Sequence, residues 1–358
     1  MGLRGPGAAR LRIAREALPA RKRALPWKRN GLSRAARVIR FVESLPCTKG
    51  IKAGRKMRLL AGQRRFIEDV YGRLDKDGRR KVRIAVKSEP RGNGKSGLVS
   101  ALCLAHLLGP ESEARGECYS AAVDRQQAGL LFAEMVAIIE RVPEFAARCN
   151  IVKFFKRIEV LSGDGDGSVY EALSADARRA HGLSPTLWCF DELAQVHDAE
   201  LLENLRTAMG KRHESLGLII STQAATDDHA LSRIIDDGLS GVDPSILVHL
   251  STAPVEADPF TAETLKACNP AWGVFLDGAT ILSEAEQARR IPAFEPRYRN
   301  LRLNQRVQTD VDNRIVTLPV WKLGAQPWTE KPFTAAPPMP AWTCRQARPD
   351  RPGAGDPV

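Results

Sequence analysis

No run of about 18 consecutive apolar residues occurs in the 358-residue chain, so no membrane-spanning helix is expected. The basic start, MGLRGPGAARLRIAREALPARKR, lacks the apolar centre of a secretory signal. Its composition leaves a mitochondrial transit peptide open. The seven cysteines form no C-x-x-C pair, which fits reduced thiols in a cytosolic protein. Neither H-E-x-x-H nor a histidine cluster occurs, so no zinc site is expected. Internal repeats are absent. One further absence is local. The stretch SEPRGNGKSG, residues 88–97, ends like a phosphate-binding loop, but Glu89 stands where G-x-x-x-x-G-K-[ST] has its first glycine.

Positive charge is abundant and unevenly placed. The net charge is +12, and residues 1–40 hold twelve Arg or Lys against the single acid Glu16, or 12 − 1 = +11. The rest of the chain is therefore close to neutral. Two readings of this basic arm stand side by side: non-specific contact with nucleic-acid phosphates, or a solvated tail.

Hydrophobic periodicity predicts an alternating α/β order. Helices are expected over Leu32–Leu45 and in LLAGQRRFIEDVYGRL, and a strand in KVRIAVK. The glycine-containing loop follows, and then an apolar helix ending at Gly109. Further strands are expected at 116–123, 158–162, 169–175, 186–192 and 216–223, with helices at 126–142 and 200–212. Such alternation predicts a mostly parallel sheet with flanking helices, of P-loop NTPase type, carrying helical N- and C-terminal additions. Residues 1–31 read as a disordered basic arm, 32–252 as the nucleotide-binding core, 253–329 as a helical subdomain, and 330–358 as a disordered tail with seven prolines after Glu330.

Three groups of residues carry the chemistry. In the loop, Gly92, Asn93 and Gly94 let backbone approach phosphates, Lys95 can reach their terminal oxygens, and the Ser96 hydroxyl is placed to hold Mg²⁺. The following helix points its positive end at the anion. In PTLWCFDE, Asp191 and Glu192 follow a buried strand, at the end of the sheet where α/β folds bind ligands. There the first carboxylate can hold Mg²⁺ and the second can orient or deprotonate a water. In LGLIISTQ, Ser221, Thr222 and Gln223 end another apolar strand. They read either as sensors beside a terminal phosphate or as polar caps on a core strand.

These elements, in this order, resemble the large terminase subunit of tailed bacteriophages, the ATP-driven motor that packages DNA. The resemblance runs over roughly residues 30 to 325 and includes GQRRFIEDVYG, PRGNGKSGLVSALCLAHLLGPE, SADARRAHGLSPTLWCFDELAQ, LIISTQA, CNPAWG and YRNLRLNQ. In that family the first loop glycine is often replaced, so Glu89 does not count against binding. The resemblance implies ATP and Mg²⁺ as cofactors, double-stranded DNA, a small terminase subunit and a portal protein as partners, a homo-oligomeric ring when docked, and the cytoplasm of a bacterial host as the place of action. It implies that Gln63 contacts adenine, against the alternative of a plain surface helix residue. Arg91 then contacts the terminal phosphate of its own nucleotide. Arg178 and Arg179 read as trans arginine fingers or as DNA or surface contacts.

Complete family members continue into an RNase H-like nuclease. Here the sequence after residue 340, AWTCRQARPDRPGAGDPV, offers no strand carrying an aspartate, so endonuclease activity is not expected. The leading expectation is the ATPase part of a phage or prophage large terminase. The alternatives are a catalytically inactive remnant that only binds DNA or partner subunits, and another P-loop motor such as a helicase.

Overall fold

The computed structural model describes residues 25–123, 125–173, 182–196 and 198–307. They form one eight-stranded sheet with helices on both faces, followed by a helical layer. The strands are β1 (Ile84–Ser88), β2 (Glu117–Ala121), β3 (Cys149–Val152), β4 (Arg157–Val160), β5 (Val169–Ala172), β6 (Leu187–Asp191), β7 (Leu216–Ser221) and β8 (Ile246–Leu250). Their order is β3-β4-β5-β2-β6-β7-β1-β8. All pairs are parallel except β3–β4 and β4–β5. The expected mostly parallel α/β fold is therefore the one observed.

The central strands are buried along their whole length, which explains why they read as continuous apolar runs. Successive side chains serve opposite faces. Ala85, Leu187 and Cys189 join one core with α1 (Arg34–Ser44), α2 (Ala61–Gly72), α3 (Lys95–Leu107) and α4 (Arg125–Arg141). Ile84, Val86, Trp188 and Phe190 join the other, with α5 (Glu200–Ala208) and α6 (Ala230–Ser240). Helix α3 is buried nearly all round, consistent with its lack of a polar stripe. Its position at the centre of the first core fixes the loop that precedes it.

Strands β3 and β8 and helix α6 were not legible in the sequence, nor was the single helical turn Pro143–Ala146. Strand β3 is an edge strand of intermediate burial, and β8, at the other edge, is only partly buried, so neither shows a clean apolar alternation. The helix expected to run to residue 212 ends at Ala208 and tightens into a 3₁₀ turn, Met209–Lys211, around Gly210. The basic arm before residue 25 and the proline-rich tail lie outside the described residues.

Helices α7 (Ala262–Cys268), α8 (Gly278–Arg290) and α9 (Glu295–Leu303) enclose their own small core, with Leu265, Ile281, Ala285, Tyr298 and Leu303 buried. Polar side chains join this layer to the strand ends. Asn304, fully buried and in the left-handed region at φ 56°, donates to the Ser88 Oγ (3.0 Å) and the Ser251 carbonyl (2.9 Å) and accepts from the Gln223 backbone N–H (2.7 Å). Asparagine is one of the few side chains at ease in that conformation. Asn304→Ala strands buried partners on β1, β7 and the β8 connection, and it is expected to destabilise the fold by about 2–4 kcal/mol. Denaturant midpoints of the two proteins check this, and a loss below about 0.5 kcal/mol contradicts it.

Candidate nucleotide site

The loop between β1 and α3 has its conformation set by glycine. Gly92 and Gly94 lie at φ 91° and 80°, where side chains are strained. At Gly92 a Cβ would also come within 2.6 Å of Leu276 Cδ1. Glu89 is explained by its surroundings. Its carboxylate forms a buried ion pair with Lys87 Nζ at 2.5 Å, and its carbonyl accepts from Lys95 Nζ at 2.6 Å. A non-glycine residue at the start of the loop thus serves the loop's own electrostatics.

Lys95 also donates to the Pro90 carbonyl at 3.0 Å. Burial pushes its pKa down, and Glu192, Glu89 and Asp191 oppose that shift. Its ammonium is therefore held at the loop by two carbonyls that an incoming phosphate can replace. The Ser96 hydroxyl is 3.4 Å from Asp191 Oδ2, so hydroxyl and carboxylate meet in front of the loop.

Asp191 is the last residue of β6 and is buried. Burial, then the neighbouring Glu192 charge, push its carboxyl up to about 6, against the opposing pull of Lys95 and the Ser96 hydrogen bond. Glu192 follows in the left-handed region at φ 54°, a strained position for a non-glycine residue. Its backbone N–H donates to the Ile220 carbonyl at 2.8 Å. Its Oε2 is buried with no hydrogen-bond partner among the described residues. Two adjacent carboxylates, one with its proton affinity raised and one short of a donor, suit a cation and a water.

The raised Asp191 pKa has a stability consequence with a definite sign. The folded chain holds this proton more tightly than the unfolded chain, whose value is near 3.8. Stability without ligand is expected to fall, on the order of 1–3 kcal/mol, as pH rises from about 4 to about 6. Asp191→Asn should remove that slope, so the difference between the two proteins' unfolding free energies across this window checks it. Parallel pH profiles contradict it.

The third group divides. The Ser221 Oγ accepts from the Ala194 N–H at 3.0 Å, which ties β7 to the turn after Glu192. Thr222 is buried and borders a cleft of about 520 Å³ that Arg91, Gln195, Arg297 and Leu301 also line. Gln223 turns to the helical layer. Its Nε2 donates to the Asn304 carbonyl (2.5 Å), its Oε1 accepts from Arg306 Nε (3.0 Å), and its carbonyl accepts from Asn300 Nδ2 (2.7 Å).

Gln63 sits in the first turn of α2. Its Oε1 accepts from the Leu60 N–H (3.1 Å), and its Nε2 donates to the Asn93 carbonyl (3.4 Å). It is buried against the loop, not a plain surface residue. Arg178 and Arg179 lie outside the described residues.

Several residues of the helical layer reach the loop and were not singled out from sequence. The Asn93 side chain donates to Asn269 Oδ1 (2.9 Å) and accepts from the Ala271 N–H (3.0 Å). The Arg91 N–H donates to the Leu301 carbonyl (2.9 Å), and Arg302 Nη1 donates to the Arg91 carbonyl (3.4 Å). The signal available was the pair of phrases CNPAWG and YRNLRLNQ, which supply Asn269 and Ala271, and Leu301 and Arg302, to these contacts.

A larger cleft of about 760 Å³ lies at the opposite, amino ends of the strands. Both carboxylates facing Arg34 in its wall are paired with it, Glu111 at 2.7 Å and Glu214 at 2.5 Å, and no residue of the phosphate loop lines it. Size therefore does not identify the functional cleft here; chemistry does. Among the described residues no helix is long and apolar enough to cross a membrane.

Residues 63–237 match the family model described as the terminase large subunit, ATPase domain. Over 295 residues the chain is 37% identical to the terminase large subunit of Enterobacteria phage HK97, covering 82% of this chain and 56% of that protein. The crystal structure of the HK97 bacteriophage large terminase matches with a TM-score of 0.70 at 36% identity, over 82% of this chain and 59% of that one. The large terminase ATPase domain of Thermus phage P74-26 shares the fold, with a TM-score of 0.51 at 16% identity over 71% of this chain and 95% of that one. The chain thus spans little more than half the length of the HK97 protein.

Proposed function

We propose, for a chain that belongs to the terminase large-subunit family through its ATPase domain, that it binds and hydrolyses ATP to drive double-stranded DNA into a phage capsid. The observation that carries this reading is the meeting of loop and strand end: Ser96 Oγ faces Asp191 Oδ2 at 3.4 Å, with Lys95 and Glu192 beside them. In this reading Gly92, Asn93 and Gly94 wrap the phosphates, and Lys95 exchanges the Glu89 and Pro90 carbonyls for their oxygens. Arg91 adds charge at the terminal phosphate, and Gln63 borders the base. Glu192 orients the attacking water and takes its proton.

The donor set also fits Mg²⁺. Ser96 and Asp191 offer hard oxygen ligands, and burial beside the Glu192 charge makes Asp191 a carboxylate that a cation would stabilise. These two residues would hold the ion, which neutralises phosphate charge when bound. Deprotonated Asp191 is the binding form, so affinity for the ion falls as pH drops below about 6.

Ser221 and Thr222 stand where loss of the terminal phosphate can be felt, and Gln223 can pass the change to the helical layer. A small terminase subunit, a portal protein, a homo-oligomeric ring and the bacterial cytoplasm belong to the same proposal. Arg178 or Arg179 would act on a neighbouring subunit's nucleotide. DNA contact is mostly to phosphates, because a packaging motor must accept any sequence. ATP turnover measured with portal-bearing capsids and two duplexes of unrelated sequence tests the DNA half. Equal stimulation by both is expected; stimulation by only one, or by neither, contradicts it.

A further inference from the structure

The 520 Å³ cleft beside the loop has an uneven charge. Its nine lining residues include two arginines, Arg91 and Arg297, and no acid. Both arginines also border a neighbouring cleft of about 360 Å³. The segment from Glu295 to Arg306 carries four arginines, three of them paired. Arg299 Nε meets Glu295 at 2.7 Å, Arg302 Nε meets Glu284 at 2.6 Å, and Arg306 Nη1 meets Asp227 at 3.0 Å. Arg297 is exposed and has no carboxylate partner among the described residues.

Its placement is fixed by backbone and side-chain contacts. Residues 297, 300 and 301 share one face of α9 by their spacing, and all three line the cleft. The Leu301 carbonyl accepts from the Arg91 N–H of the loop, and Asn300 donates to the Gln223 carbonyl after β7. The helix is thereby strapped to the loop and to the β7 end at once. Arg297, one turn earlier, faces the ground between Arg91, Thr222 and Gln195, which lies three residues beyond Glu192.

We infer that Arg297 is a phosphate-contacting residue, which reaches from the helical layer to the terminal phosphate of the bound nucleoside triphosphate and forms, with Arg91, the cationic walls of the chamber that this phosphate occupies. The inference rests on the ATP-site reading above and adds a residue from outside the α/β core. The position favours a nucleotide phosphate over DNA. The cleft opens at the carboxyl ends of the central strands and is too small to admit a duplex. Because α9 is bonded to both the loop and Gln223, gain or loss of this phosphate bears directly on the helical layer.

The test uses the full chain and two ligands that differ only at the terminal phosphate position, ADP alone and ADP with beryllium fluoride. Wild type should bind ADP and gain affinity when beryllium fluoride is added. Arg297→Gln, an exposed change checked for folding by its melting temperature, should leave ADP affinity within about twofold. It should cut the beryllium fluoride gain by roughly 10-fold or more. Arg297→Lys should restore part of that gain. An equal gain in wild type and Arg297→Gln overturns the inference while leaving the ATP site intact. A weakened duplex affinity with an unaltered gain also overturns it, and assigns the residue to DNA. Absence of ADP binding by the wild type instead removes the underlying reading.

Discussion

Glu192→Gln is expected to keep ATP binding while slowing turnover by ~10² or more, the usual contribution of a positioned general base. The side chain keeps its size, and the backbone N–H keeps its bond to the Ile220 carbonyl, so the strained turn survives. What disappears is a carboxylate whose buried Oε2 has no partner among the described residues, and with it the acceptor for the water's proton. The substitution has a second signature. Glu192 is the charge that, after burial, raises the Asp191 pKa. Removing it should move the acid limb of Mg²⁺-dependent nucleotide binding to lower pH. Single-turnover phosphate release, beside nucleotide titrations across pH, reads both effects. Unchanged turnover would remove Glu192 from the chemistry, and an unmoved acid limb would remove its coupling to Asp191.

Lys95→Ala should abolish measurable hydrolysis and weaken ATP binding by roughly 10-fold to 100-fold, the worth of one or two charge-assisted hydrogen bonds. The ammonium is buried with its carbonyl partners at 2.6 and 3.0 Å, so it is already placed for phosphate and needs little reorganisation. Its charge also acts on three carboxylates, Glu192, Glu89 and Asp191. Its loss should therefore raise the Asp191 pKa further and make the ligand-free protein less stable above pH 6. Helix α3 is anchored by apolar residues along its length, so the fold should survive. Equilibrium nucleotide binding with a melting control separates lost binding from lost folding. Retained turnover in a folded variant would show that this loop is not the phosphate site.

What the sequence disclosed and what it hid follow from where each residue finds its partners. Strands β1, β6 and β7 are buried on both faces, so their apolar runs are visible locally. The loop and the Asp191–Glu192 pair stand directly at the ends of those runs, and were legible for that reason. Edge strands β3 and β8 share their burial with solvent and left no clear pattern. The joining of the helical layer to the loop was invisible to local reasoning, because Asn93 meets Asn269 across 176 residues and Ser88 meets Asn304 across 216. Glu89 illustrates the same limit at short range. In the pattern it is a missing glycine, yet in the fold its carboxylate and carbonyl serve Lys87 and Lys95. Gln223 read either as a sensor beside a phosphate or as a polar cap; it lines the cleft beside the loop, and its hydrogen-bond partners Asn304, Arg306 and Asn300 lie 77 or more residues away in sequence, where local reasoning does not reach.

Phosphate release from ATP by the purified chain, with Mg²⁺ and then with chelator, tests the central claim most directly. Release is expected to need the ion, to disappear in Lys95→Ala and to fall by ~10² or more in Glu192→Gln. Release that persists in both variants, or none from the wild type with Mg²⁺, double-stranded DNA and portal-bearing capsids present, would contradict it.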